Sequence, residues 1–422
     1  MPFIVIFCLP LLCAGPAGPA FAGREIPVLV DGLPVSFDVK PVLQNGRTLV
    51  PFRAIAEALN VAVAWDGATR TVTASGGQTT VRLQIGNSTA YHNDAPVVLD
   101  VPPVIAGGRT LIPVRFFSEA FGCKVDWDAA ARAVKITSPP RPMTVMGFYA
   151  LGDSATSSWT DLFQKPYPAA GPGNTDVVGE LALGWYSLDE KGRLLTRSRT
   201  GWQRPDGWEK VLEAARSYNL RTEMVVHLTD QDGAIVNLLS DAGAVSRAVK
   251  EIAAEAGRYH GVNLDFEGLG YRENGEQLAA TRAAFTAFAS RLAEKLHAAG
   301  LGLTLTLHAP NSVYRGYDYR ALGEAADRIV IMAYDYGSKP EPLNLVLQAV
   351  QEAATAVPPA KLLLGISVPS ETPESIITKV GVAKRYHLGG IALWRLGLVP
   401  GDMWQALRTT VRPRVAGDKK FP

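Results

Sequence analysis

Cysteine is nearly missing from this chain: there are three in 422 residues, and Cys8 and Cys13 both lie near the start. A disulfide framework is excluded, as is a zinc site of the multi-cysteine kind, and Cys123 stands by itself. An excess of one charge is missing too. Forty-two Lys and Arg against 40 Asp and Glu leave +2, so bulk electrostatics give no reason to expect a nucleic-acid partner. The six histidines are scattered and no carboxylate run has calcium-loop spacing, so neither a metal nor a cofactor is expected. Past the first residues no apolar run approaches the roughly 20 residues of a membrane span. What the chain does have is core material. It is 47% hydrophobic and 19% charged, too apolar for disorder and long enough for two or three domains.

The apolar run 2–15, followed by Ala20-Phe21-Ala22, reads as a secretory signal cut after Ala22, although no Lys or Arg precedes Arg24. Secretion with loss of residues 1–22 is the expectation.

Residues 46–75 and 108–137 align without a gap at an offset of 62, with 14 of 30 positions identical, which makes them an internal repeat. Gly46-Arg47-Thr48-Leu49-Val50-Pro51 returns as Gly108-Arg109-Thr110-Leu111-Ile112-Pro113, and Trp65-Asp66 returns as Trp127-Asp128. In each copy the proline opens a helix, where its missing N–H costs nothing. Phe52, Ile55, Ala56 and Leu59 form its inner face, as do Val114, Phe117, Ser118 and Phe121 in the second copy. Asn60 and Gly122 stop the two helices, and a pair of strands follows each. The doubled GRTL(V/I)P-x-R resembles the stalk-type N-terminal domain of copper amine oxidases. That resemblance implies a duplicated α+β module over residues 23–138 that serves as a spacer or associates with the cell wall. It does not imply copper, since His92 is the segment's single histidine.

A proline-rich joint at 139–142 precedes a change of pattern. Over 143–412, eight short apolar runs alternate with amphipathic helices, which predicts an α/β fold, a (β/α)₈ TIM barrel. The runs are 144–149, 180–185, 221–227, 261–266, 302–308, 328–333, 361–367 and 390–394. An open doubly wound sheet is the alternative, but no glycine-rich phosphate loop follows the first strand. A short tail, 413–422, closes the chain; its Lys419 and Lys420 suit a solvated end better than an anionic wall.

The fourth run, Gly261-Val262-Asn263-Leu264-Asp265-Phe266-Glu267, alternates apolar and polar residues. On a strand this turns Asn263, Asp265 and Glu267 to one side, into the barrel, with Glu267 nearest the mouth. Inward polar groups are costly unless they bond to one another or to a ligand. Two neighbouring carboxylates repel, which raises one pKa and leaves a proton available for acid catalysis. A purely structural polar plug is the competing reading of the same spacing.

Here the chain resembles glycoside hydrolase family 18, whose signature D-x-x-D-x-D-x-E reads His260-Gly-Val-Asn263-Leu-Asp265-Phe-Glu267. Met332-Ala333-Tyr334-Asp335 and Trp394 add the marks of strands six and eight, and the nearest likeness is to the spore-germination branch. The resemblance implies hydrolysis of β-1,4 bonds beside N-acetylglucosamine, in peptidoglycan, spore cortex or chitin-like glycans, with the substrate's acetamide as nucleophile. Glu267 would be the acid, Asp265 would orient the acetamide, Tyr334 would bond its carbonyl, Asp335 would support the sugar and Trp394 would floor it. His260, in place of the first Asp, implies tuning rather than loss. Tyr149, Trp185 and Tyr186, at the ends of strands one and two, are candidates for sugar stacking. The partner expected is therefore an N-acetylglucosamine-containing polysaccharide at the cell wall or spore envelope. The rival reading is a non-catalytic glycan-binding or wall-structural protein on the same barrel.

Overall fold

The computed structural model describes residues 26–150 and 156–413. The expected signal peptide, Cys8, Cys13 and the basic tail from 414 onward lie outside the described residues. Two compact units are present. One comprises the described residues up to Val28 with 35–121 and 125–134; the other comprises 29–34, 122–124 and 135 onward.

In the first unit the repeat is physical. Helices Phe52–Ala58 and Val114–Ala120 occupy equivalent positions, and Phe52 meets Phe117 edge to face at 5.7 Å. Asn60 and Gly122 both take positive φ, 56° and 76°, and so end the helices as expected. Strands Arg47–Pro51 and Arg109–Pro113 pair antiparallel with Val50 opposite Ile112, at the centre of a four-stranded sheet. Val50 and Ile112 are the same position of the two copies, so an approximate two-fold axis passes between them. Side chains obey it as well. Arg47 of the first copy bonds Asp100 at 2.7 Å, and Arg109 of the second bonds Asp38 at 2.5 Å.

The second unit is a closed parallel barrel. Its strands are β1 (Arg141–Tyr149), β2 (Glu180–Leu188), β3 (Arg221–Thr229), β4 (Gly261–Glu267), β5 (Gly302–His308), β6 (Arg328–Met332), β7 (Leu362–Ser367) and β8 (Gly390–Trp394). β1 pairs with both β2 and β8, which closes the ring. The longest helix, Gly275–His297, buries Phe285, Phe288, Leu292 and Leu296 against the barrel, and Gly300 follows it with φ 71°.

Inside the ring, Met146, Phe148, Ala182, Val225, Val330, Leu363 and Ala392 make an apolar layer. Across from them lies a buried ionic group. Arg328 donates to Glu180 at 2.7 Å and to Glu223 at 2.5 Å, while Thr304 donates to Glu223 at 2.8 Å. Asn263 joins this group through Glu223 and accepts from Thr306 at 2.8 Å. Charges survive such burial only when paired and hydrogen-bonded, and these are. This part of the polar interior is the structural plug that the spacing allowed.

Candidate active site

Parity places the site. On β4 the inward residues are Asn263, Asp265 and Glu267, with the first two fully buried and Glu267 half-buried at the C-terminal mouth. β3 runs beside β4 with His227 opposite Asp265. His227 therefore also faces inward, and its Nε2 lies 3.2 Å from Glu267 Oε1. From β5, His308 Nε2 stands 3.9 Å from Glu267 Oε2.

The electrostatics of this group are uneven. Burial, and then the charge of Glu267, push Asp265 up to about 8, and Asp265 Oδ1 is buried without a hydrogen-bond partner. Burial also pushes Glu267 upward, but the bond and charge of His227, with the charge of His308, outweigh it and hold that carboxyl below its ordinary value. Burial pulls His227 down, yet its bond to Glu267 and the charge of Asp265 prevail and raise it. His308 has no such support and burial takes it down to about 4. The sequence reading put the retained proton on the acid Glu267. In the free protein Asp265 is the carboxyl pushed up and Glu267 the one held down.

A cavity of about 520 Å³ opens over the pair and is lined by Asp265, Glu267, Tyr334, Asp335, Tyr336 and Trp394. The tyrosine and aspartate of the M-x-Y-D segment and the strand-eight tryptophan thus share one cavity with the β4 carboxylates. Tyr334 stays a neutral phenol, because burial and the nearby carboxylates disfavour its anion. Asp335 has φ 64°, a strained value for a non-glycine residue. Buried Glu341 holds it there, accepting from the Asp335 and Tyr336 amides at 3.1 Å each. A second cavity, about 590 Å³, adjoins the other side of Glu267 and is lined by Tyr271, Arg272, Glu273 and Tyr314. Tyr271, Tyr314 and His308 form an aromatic row there, with centroids 5.5 and 3.9 Å apart.

Three expected stacking residues are not at the site. Tyr149, Trp185 and Tyr186 are wholly buried in the layer between barrel and helices. Tyr149 and Trp185 are out of phase by one residue; their neighbours Phe148 and Gly184 face inward. Tyr186 follows a register shift on β2 and bonds Glu255 at 2.7 Å and Tyr259 at 2.8 Å. His260 lies at the opposite end of β4 from the mouth, where Nδ1 accepts from the Thr222 amide at 3.0 Å.

The sequence reading missed Trp202, His227, His308, Tyr314 and Glu341. Trp202, from the loop after β2, stacks between Trp394 and His227 with centroids 5.1 and 5.6 Å away. A Cβ at Gly184 would lie 1.6 Å from its ring. A glycine inside a strand is the signal that something approaches closely there. For His227 the signal was strand parity, since Val225 and His227 share one face of β3. Among the described residues, one group could offer a metal three ligand atoms within 4.8 Å of one another: His227, Asp265 and Glu267. A hydrogen bond joins His227 and Glu267, and the register of β3 and β4 sets Asp265 beside His227.

The family model for glycosyl hydrolases family 18 matches residues 234–370, which hold Asp265, Glu267, Tyr334 and Asp335. The model for the copper amine oxidase N-terminal domain matches 29–136. The putative sporulation-specific glycosylase YdhD of Bacillus subtilis (strain 168) is 29% identical over 177 residues, 40% of this chain and 38% of that protein. The cortical fragment-lytic enzyme of the same organism is 29% identical over 142 residues, 30% of this chain and 31% of that protein. The chain thus matches only about a third of the length of these curated relatives. In fold, it aligns with a chitinase from Chromobacterium violaceum ATCC 12472 at a TM-score of 0.52 and 20% identity, over 63% of this chain and 98% of that one. Residues 234–370 are thus similar to glycosyl hydrolases family 18, and residues 29–136, before them in sequence, are similar to the copper amine oxidase N-terminal domain.

Proposed function

We propose that the protein is a glycoside hydrolase that cleaves β-1,4 bonds beside N-acetylglucosamine, with the substrate's own acetamide as nucleophile. The observation that carries this reading is the buried Asp265–Glu267 pair facing one cavity together with Tyr334 and Trp394. Glu267 protonates the glycosidic oxygen as the acetamido oxygen bonds to the anomeric carbon. Asp265 accepts the acetamide N–H and balances the positive oxazolinium ion, and the neutral phenol of Tyr334 donates to the acetamide oxygen. Asp335 bonds a sugar hydroxyl, and Trp394 supports the apolar face of the ring. Water then opens the intermediate, with Glu267 as base. No enzyme nucleophile is needed. Both curated relatives carry names from sporulation and cortex lysis, which favours peptidoglycan over chitin as the substrate class.

Action outside the cell, at a wall or spore envelope, is part of the same proposal, with the N-terminal module as its wall-associating part. Trp65 and Trp127, equivalent in the repeat, are each 47% exposed. Trp65 lines a groove of about 570 Å³ with Phe52, Arg53 and Arg109, a setting that suits a pyranose.

The test is mass spectrometry of products from purified peptidoglycan, spore cortex and N-acetylglucosamine oligomers, using the wild type and Glu267→Gln. New reducing ends from the wild type only are expected. Binding by both proteins without cleavage by either would make the barrel a glycan-binding protein.

A further inference from the structure

Glu267 meets a difficulty as an acid, because in the free protein its carboxyl is held ionised and has no proton to give. A neighbour must supply one. Asn263 does not titrate, and its amide is committed to Glu223 and Thr306. His308, stacked on Tyr314 at 3.9 Å, is kept neutral by burial. Asp265 also holds a proton and must give it up for its carboxylate to serve the acetamide, but its Oδ1 has no hydrogen-bond partner and no bond links it to Glu267. His227 is placed otherwise. It is 5% exposed, opposite Asp265 in the β-ladder and 3.2 Å from Glu267 Oε1, with Trp202 stacked on its ring and Thr200 Oγ1 3.5 Å from Nδ1.

We propose that His227 is the proton-sharing positioning residue of the acid, holding Glu267 through Nε2–H and passing it a proton as the glycan binds. This rests on the reading of Glu267 as the acid. A sugar over the mouth takes water from Glu267, which favours its neutral form. The proton then crosses from Nε2 to Oε1 and leaves a neutral imidazole. Glu267 gives that proton to the glycosidic oxygen as the bond to the anomeric carbon breaks. The water that opens the oxazolinium ion returns a proton to Glu267, which shares it again with His227; Asp265 releases its own proton to solvent as the acetamide binds and regains one when the product leaves, so the proton count closes. The titratable groups facing this bond are Asp265 and Glu267 from β4, His308 and Tyr317 from β5 and the segment after it, and Tyr334 and Asp335 after β6.

The full chain carrying His227→Gln keeps a hydrogen-bond donor and loses the titrating ring. Its kcat/KM is measured against pH on two substrates: the glycan that the wild type cleaves, and a dinitrophenyl N-acetylglucosaminide whose leaving group needs no acid. The expected loss is about tenfold to a hundredfold on the glycan, and much smaller on the dinitrophenyl substrate, with one ionisation gone from the alkaline limb. Equal losses on both substrates with an unshifted profile would reduce His227 to a structural residue and overturn the inference. His227→Asn, and ¹⁵N-histidine NMR of the wild type, read the same ring should the first variant fold poorly; a ring that titrates below the ordinary histidine range also overturns it. Glu267→Gln separates the two ideas. A wild type as inactive as Glu267→Gln removes the functional reading and this inference with it, whereas an active wild type with an inactive Glu267→Gln leaves His227 to be judged alone.

Discussion

A carboxyl buried beside another carboxyl weakens the fold that contains it, and Asp265 is such a group. Unfolded, it ionises near its ordinary 3.8; folded, it holds its proton up to about 8. Between those values the folded chain binds a proton that the unfolded chain does not. Stability therefore falls as pH rises through this window and levels off above it. Asp265→Asn removes the effect. Its expected gain over the wild type near pH 8 is on the order of a few kcal/mol, shrinking to nothing toward pH 4, while glycan cleavage is lost throughout. Denaturant titrations of both proteins at the two ends of that range check this. A pH-independent difference would mean that Asp265 is ordinary in the folded state.

At the scale of elements, the loop after β2 matters most. It carries Trp202 to its seat between Trp394 and His227, and Gly184 leaves the space for the indole. Gly184→Ala should unseat Trp202 at a cost of about 1–3 kcal/mol and weaken substrate binding more than it slows turnover. Tryptophan emission, the melting temperature and KM report this together; an unmoved emission spectrum and melting temperature would show that the indole has room to spare. The same loop shows why some of the site could be read from sequence and some could not. The eight strands declare themselves through short apolar runs, and β4 through its alternation, so Asp265 and Glu267 were legible. Tyr149 and Trp185 were misplaced because a strand end shows which residues are near the mouth but not which face they take. One residue of phase decides that. Trp202 reaches the site from a loop, where no periodicity speaks, and His227 acquires meaning only once β3 and β4 are in register.

At the scale of the whole molecule, the barrel separates stability from chemistry. The Arg328 group and the apolar layer fill the ring, while the reactive groups gather at the C-terminal mouth. The wall-associating role proposed for the module is tested by substitutions within it. The full chain with Trp65→Ala and Trp127→Ala is expected to cleave soluble oligomers as before and to sediment less with insoluble wall. Unchanged sedimentation would leave the module as a spacer.

The two-fold relation inside that module, with Val50 opposite Ile112, has an evolutionary consequence. A strand that pairs with its own equivalent across an axis is what two identical subunits share. Joining two such subunits end to end yields one chain with both halves already in place. From then on each half can drift separately, since a substitution no longer appears twice. Phe52 against Val114 and Leu43 against Ile105 are differences that a true dimer of identical chains could never hold.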